Sequence, residues 1–220
     1  LLQKINISPD FVAGHSLGEF TALVANGVLD IEDAMYLVHR RGEFMIKAND
    51  GRPFAMSAIM GPSSDEVRSF CQEASETGIV VAANFNTPVQ TVISGEEQAV
   101  RKAEDIARAN GAKRIFPLAV GGAFHSPLIE KAAEWLEKEM NSVSFNNTKT
   151  PVISNVDALP AKDPEVIKRN LKKQIASSVL WVKSIQNMVE QGTTLFLEFG
   201  PQKVIAGMIK KIDKNVDANS

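Results

Sequence analysis

The stretch Gly14-His15-Ser16-Leu17-Gly18 sets a serine between two glycines, directly after the apolar run Phe11-Val12-Ala13. This is the G-x-S-x-G spacing of a nucleophile elbow, where a strand turns sharply into a helix and leaves the serine Oγ exposed. The glycines have a physical reason: backbone segments converge at such a turn, and a β-carbon at either flank would collide. The first N–H groups of the following helix then lie near Oγ and favour negative charge on a reacting carbonyl. A plainer reading stands beside it, in which Ser16 caps a helix and the glycines serve a turn.

A nucleophilic serine needs a base to take its proton. The chain has three histidines. His15 adjoins the serine, and neighbours on an extended strand point to opposite faces, so it is expected to pack beside the site rather than reach Oγ. His39 sits mid-helix before two arginines and reads as a solvated surface residue. His125, in GGAFHSPL, lies on a loop between a strand and a helix, at the edge of an α/β sheet where sites form; elimination leaves it as the base. A triad in the chain order serine, acid, histidine needs a carboxylate between Ser16 and His125. Asp30, Asp33, Asp50, Asp65 and Asp105 fall there, all in helix or loop contexts. Asp157, after PVISNV, follows the histidine. A backbone carbonyl would serve equally, because Nδ1–H needs only an acceptor.

These residues need elements to hold them. Phe11–His15 suits a buried strand, and Leu17, Phe20, Leu23 and Val24 continue with helical periodicity until Gly27. DIEDAMYLVHRRGEFMIKA forms a second helix, with Ile31, Ala34, Met35 and Val38 on one face. The next stretch alternates differently: strand FAMSAIM, helix SSDEVRSFCQEAS, strands IVVAANF and VQTVIS, helix SGEEQAVRKAEDIARANG, strand AKRIFPLAV. Capping boxes, Ser63 with Glu66 and Ser94 with Glu97, are read at both helix starts. The order β-α-β-β-α-β predicts a ferredoxin-like insert over 52–120. Around it, over 1–51 and 121–220, strands alternating with helices predict a parallel α/β core. That part includes helices from Pro127, near Glu165–Gln174 and over Trp181–Gln191, a buried strand at Thr194–Gly200, and a helix from Pro201.

Composition excludes several classes. The 220 residues are 44% hydrophobic and 23% charged with a net charge of −2, which fits a globular domain and offers no nucleic-acid surface. A single cysteine, Cys71, excludes an internal disulfide framework, and with three histidines it leaves no zinc-ligand cluster. No apolar run approaches the ~18 residues of a membrane span. The opening LLQKINISPD lacks a methionine, and Leu1, Leu2 and Ile5 have the spacing of a helix begun earlier. The natural N-terminus is therefore expected upstream, and a targeting signal is not legible.

Six segments in order, GHSLGE, RRGEFM, NFNTP, GAFHSP, KKQIASSVLW and LEFGPQKVIAGM, together resemble the malonyl-CoA:acyl carrier protein transacylases. More widely, they resemble the acyltransferase domains of fatty-acid and polyketide synthases. The resemblance covers essentially the whole chain. It implies an α/β-hydrolase-like core with a ferredoxin-like insert, and transfer of malonyl from malonyl-CoA to the phosphopantetheine thiol of acyl carrier protein. It makes Ser16 the nucleophile, His125 its base, and Gln174 the residue whose carbonyl holds His125. Leu17 would donate its backbone N–H to the oxyanion, and Arg41 would pair with the free malonyl carboxylate, which a guanidinium grips well. Asn84 would be a polar group near the histidine, and His15 would line the site. Phe124 would leave less room for an α-methyl group, and Leu17 stands where relatives using methylmalonyl units often have glutamine, so both would favour malonyl over methylmalonyl.

The resemblance also implies no bound cofactor beyond coenzyme A as substrate and product, no metal, no nucleic acid, no membrane, a monomer and a cytoplasmic setting. Lys113, Arg114, Lys210, Lys211 and Lys214 could meet an acidic carrier protein, although a charge run is usually a solvated face. One departure stands out: the GQGxQ loop of the family, which supplies part of the oxyanion hole, is not found in this sequence. Two other classes remain open, a serine hydrolase or thioesterase on the same elbow and a degenerate docking domain without catalysis.

Overall fold

The computed structural model describes residues 8–220; the helical tail read at Leu1–Ile5 lies outside the described residues. A four-stranded antiparallel sheet forms the middle of the chain. Its strands are β2 (Phe54–Met60), β3 (Val80–Thr87), β4 (Gln90–Glu96) and β5 (Arg114–Pro117), in the order β3-β4-β2-β5. β2 and β4 pair along their whole length, from Phe54 opposite Glu96 to Met60 opposite Gln90. Side chains alternate across this sheet. Ile59 and Ile93 face the helices α3 (Ser64–Ala74) and α4 (Glu97–Ala109), packing with Val67, Phe70 and Val100. Met56, Ala58 and Val92 face the other way, against Phe124.

The two helix starts in this region differ. Ser63 accepts from the Glu66 N–H and Glu66 accepts from the Ser63 N–H, so the first capping box forms. The second does not: Ser94 stays in β4 opposite Met56, and α4 begins after Glu96. Glu96 Oε2 instead accepts from the Ile79 N–H at 2.8 Å. A serine held in a ladder is not free to cap a helix.

The rest of the chain supplies short strands and longer helices. β1 (Val12–Ala13) runs parallel to β6 (Val152–Ile153), which turns back antiparallel to β7 (Pro160–Ala161). β8 (Leu195–Leu197) runs parallel to β9 (Asp217–Asn219). The chain is thus α/β with mixed pairing rather than wholly parallel, because the short return from β6 to β7 permits only an antiparallel partner. Helices α1 (Gly18–Ala25), α2 (Ile31–Lys47), α5 (Glu130–Met140) and α6 (Pro164–Gln174) close over Phe20, Leu23, Leu37, Leu136 and Leu171. Helices α7 (Trp181–Glu190) and α8 (Val204–Ile212) pack on β8 and β9 through Trp181, Ile185 and Ile209.

Two expectations about buried faces are corrected. On α2, Ile31 and Met35 are 62% and 67% exposed, and the buried stripe is Ala34, Leu37, Arg41, Phe44 and Met45. Periodicity misplaces the stripe because its centre is an arginine, a residue that composition assigns to the surface. On β8, Leu195 and Leu197 are exposed and only Phe196 turns toward the neighbouring helices. A strand covered on one face buries alternate residues, not a continuous run. Among the described residues no helix is long and apolar enough to cross a membrane.

Candidate active site

The chain leaves β1 at Ala13 and enters α1 at Gly18 through a turn whose central residue, Ser16, has φ 53°. That left-handed conformation is costly for a residue with a β-carbon, on the order of 1–3 kcal/mol, and needs outside support. Asn155, on the loop after β6, supplies it. Its Oδ1 accepts from the Ser16 N–H at 2.7 Å, and its Nδ2 donates to the Gly14 carbonyl at 2.8 Å. Only one of the two glycines is forced by close approach. A β-carbon on Gly14 would lie 1.9 Å from the Gly18 carbonyl, whereas one on Gly18 would meet nothing within 4 Å. Leu17, not Ser16, occupies the position capping α1, and no side chain caps that helix. The Leu17 N–H finds no protein acceptor among the described residues.

The Ser16 hydroxyl is engaged elsewhere. His125 Nε2 lies 2.7 Å from Oγ. The imidazole is buried, its own φ is 57°, and Nδ1 sits 2.8 Å from the Gln174 carbonyl. A carbonyl only accepts, so Nδ1 carries the proton and Nε2 is left to accept from the serine O–H. Burial, reinforced by the Arg41 cation, pushes the His125 pKa down to about 3, so the ring is neutral at neutral pH. Asp157 takes no part: its carboxylate accepts from the Leu159 N–H and from Asn170 Nδ2. His39 is on the surface, its side chain 72% exposed beside Glu43.

Arg41 reaches the same hydroxyl from α2. Its Nη2 donates to Ser16 Oγ at 2.9 Å and to Gln174 Oε1 at 3.1 Å, while its buried Nε has no partner among the described residues. Burial lowers its pKa to about 10, which leaves it charged at neutral pH. Gln174 ends α6 fully buried, and its side chain is bonded at both ends. Besides the Oε1 contact to Arg41, Nε2 donates to the Ser16 carbonyl at 3.0 Å and to Glu19 Oε2 at 2.7 Å. Glu19 also accepts from the Asn155 N–H at 3.2 Å. Burial drives the Glu19 pKa up to about 7, against the opposing pull of Gln174, Asn155 and the Arg41 charge.

Ser16, His125, Gln174 and Arg41 are therefore brought into one connected set, with the Leu17 N–H at its edge. The other expected residues lie around it. His15 bonds Asn86 Oδ1 through Nε2 at 2.8 Å and meets the Trp181 ring edge-on at 5.6 Å, away from Oγ. Asn84 is buried in β3 and its backbone pairs with Val179. Its side chain makes no hydrogen bond among the described residues; Asn86, two residues on, makes the contact to the site. Phe124 packs against both the helical core and the rear of the four-stranded sheet. Two buried polar residues, Glu19 and Asn155, escape sequence reasoning. An acid in the first turn of α1 reads as a partner for the helix dipole, and an asparagine after a strand reads as a turn residue; neither pattern signals burial. Lys113, Arg114, Lys210, Lys211 and Lys214 are all exposed, the first two at β5 and the others at or after the end of α8.

The chain as a whole resembles known proteins. The family model for the acyl transferase domain matches residues 1–219. The chain belongs to this family. Among its relatives is the malonyl CoA-acyl carrier protein transacylase of Bacillus subtilis (strain 168), 43% identical over 97% of this chain and 68% of the relative. That of Staphylococcus aureus (strain MRSA252) is 40% identical over 98% of this chain and 70% of its own. The acyl-carrier-protein S-malonyltransferase of Burkholderia pseudomallei 1710b superposes with a TM-score of 0.95 at 42% identity, covering 98% of this chain and 71% of that one. A malonyl-transacylase solved in complex with its type II PKS acyl-carrier protein does so at 0.95 and 37% identity, over 100% of this chain and 72% of that one.

Proposed function

We propose that this acyl transferase domain moves a malonyl group from malonyl-CoA to the phosphopantetheine thiol of acyl carrier protein, by way of a malonyl ester on Ser16. One observation carries the reading: a single hydroxyl oxygen has a neutral imidazole at 2.7 Å and a buried guanidinium at 2.9 Å. The first suits a base for that hydroxyl; the second suits an acyl group ending in a carboxylate. His125 Nε2 takes the Oγ proton as Oγ attacks the thioester carbon. The Leu17 N–H donates to the resulting oxyanion. When the C–S bond breaks, His125 returns the proton to the coenzyme A sulfur, and malonyl remains on Ser16. The carrier thiol then attacks this ester with His125 as base, and Ser16 recovers its proton. Arg41 holds the malonyl carboxylate through both steps, its Nε, which has no partner among the described residues, adding a donor.

The names of the relatives support the same reaction, and the solved complex supports acyl carrier protein as partner. A hydrolase is less well supported, because Nδ1 of His125 meets a carbonyl rather than a carboxylate and a buried cation flanks the nucleophile. Phe124 and Leu17 select malonyl over methylmalonyl, a preference of ~1–3 kcal/mol for one methyl group. The architecture is read as an α/β-hydrolase-like core over 1–51 and 121–220 with a ferredoxin-like insert over 52–120. The β-α-β-β-α-β order of β2 to β5 supports the insert. The protein acts as a monomer in a cytoplasmic setting, and the exposed basic residues at β5 and α8 face the carrier.

Intact mass after incubation with malonyl-CoA tests the reading. One malonyl adduct is expected, mapped to the peptide bearing Ser16 and absent from Ser16→Ala. An adduct that persists in Ser16→Ala overturns it.

A further inference from the structure

We propose that Glu19 is a positioning residue that sets acyl selectivity, by fixing which end of the Gln174 carboxamide faces Arg41. The proposal rests on the malonyl-transfer reading above and deepens it. A carboxamide is two-ended, one end donating and the other accepting, and it can be turned over with little change of shape. Around Gln174 that choice has a chemical consequence. Nε2 faces two oxygens, the Ser16 carbonyl at 3.0 Å and Glu19 Oε2 at 2.7 Å; Oε1 faces Arg41 Nη2 at 3.1 Å. Turned over, Oε1 would meet two acceptors, and the NH2 group would meet a guanidinium that can only donate. Glu19 makes the wrong orientation untenable. It is itself held by the Asn155 N–H, and Asn155 also braces the elbow. Arg41 therefore always has an acceptor behind it and stays aimed at Ser16 Oγ.

All the members are buried, Glu19 at 1%, Gln174 at 0% and Arg41 at 6% exposure, so water cannot stand in for a lost partner. Without Glu19 the flip is opposed only by the Ser16 carbonyl and by the Arg41 guanidinium, which can move off the carboxamide toward Ser16 Oγ. Arg41 then loses its acceptor for part of the time, and the binding it gives a carboxylate falls. A neutral acyl group, which has no carboxylate for Arg41 to hold, does not register this loss.

The test compares malonyl-CoA with acetyl-CoA as donors for acylation of Ser16. Arg41→Ala sets the scale for complete loss of selectivity. Glu19→Leu is expected to lower kcat/KM for malonyl-CoA by about tenfold to a hundredfold, chiefly through KM, while acetyl-CoA changes by less than about threefold. Glu19→Gln keeps an acceptor at the same place and should retain most of the selectivity. Gln174→Met removes the relay from its other end and, because Gln174 belongs to the catalytic set, lowers transfer from both donors; the ratio of malonyl-CoA to acetyl-CoA kcat/KM should still fall by about the same factor as in Glu19→Leu, and the double variant should lower that ratio no further. It also decides the matter if Glu19→Leu does not fold. Equal losses for both donors reduce Glu19 to a structural role and overturn the proposal. Selectivity lost in Glu19→Gln as fully as in Glu19→Leu overturns it too, because charge rather than acceptor geometry would then matter. A wild-type chain that takes no malonyl on Ser16 removes the functional reading itself; a wild type that is malonylated, with selectivity unmoved in the variants, removes only this proposal.

Discussion

The four-stranded sheet and the polar cluster around Ser16 are held together by different forces. In the sheet, a continuous ladder from Phe54 to Met60 backs an apolar layer of Ile59, Ile93, Val67 and Phe70, and each contact is replaceable by another of similar kind. Around Ser16 the interior is polar. Glu19, Arg41, His125, Asn155 and Gln174 are all buried, and each depends on a few particular partners. Buried apolar packing tolerates adjustment, whereas a buried polar group that loses its partner keeps its full desolvation cost. Substitutions at the site should therefore act sharply and selectively, and those in the sheet smoothly.

The largest effect is expected where the backbone of the turn at Ser16 leaves no room. Gly14→Ala puts a methyl group 1.9 Å from backbone atoms of Gly18, where no side-chain adjustment can relieve it. A loss of about 3 kcal/mol or more is expected, together with loss of acylation. Gly18→Ala, in the same motif, meets open space. Its stability should stay within about 1 kcal/mol of wild type, since alanine favours a helix over glycine. Chemical denaturation of the pair checks this, and equal destabilisation would show that the turn does not discriminate between its two glycines.

The second effect separates the regions by pH. Burial raises Glu19 from 4.5 to about 7. Between those values the unfolded chain has released a proton that the folded chain keeps, so stability falls as pH rises. The deficit, on the order of 3 kcal/mol, is complete above about pH 7. His125 has the opposite sign. Held at about 3 against an ordinary 6.5, it refuses a proton that the unfolded chain takes, so its contribution is full above 6.5 and is lost as pH falls toward 3. Glu19→Gln removes the first contribution and leaves the second. Relative to wild type, the variant should gain on the order of 3 kcal/mol between about pH 4 and pH 8. Denaturation at the two pH values measures it, and a difference that does not change with pH would remove the buried carboxyl as its cause.

How far each region is legible in the sequence follows from the same contrast. The strands and helices of the sheet region lie within a few residues of where local alternation and periodicity put them, FAMSAIM at Phe54–Met60 without any shift. Those signals are carried by near neighbours. At the site, five residues announce Ser16, and His125 follows by elimination. The rest depends on contacts between residues 139 and 158 positions apart, Asn155 to Ser16 and Gln174 to Ser16. No local pattern encodes these, and two of the residues involved, Glu19 and Arg41, carry charges that periodicity assigns to solvent. Resemblance to a family supplies Arg41 and Gln174; Glu19 and Asn155 emerge only from the three-dimensional fold.

The smallest effect tests local legibility inside the well-read region itself. Ser63 and Ser94 each stand three residues before a glutamate at the head of a helix, and the sequence offers no reason to treat them differently. Ser63 accepts from the Glu66 N–H, and Glu66 accepts in return from the Ser63 N–H, so Ser63→Ala should cost about 1 kcal/mol. Ser94 belongs to β4, and its buried Oγ has no partner among the described residues. Removing that hydroxyl takes away an uncompensated desolvation, so Ser94→Ala should be neutral or stabilising by up to about 1 kcal/mol. Opposite signs in urea denaturation are the expected result. Equal losses would mean that Ser94 contributes a capping bond after all, and that the strand ends before it. The pair thus asks whether a ladder residue can be recruited by the helix that follows it, and the register of Ser94 with Met56 answers that the strand already holds it.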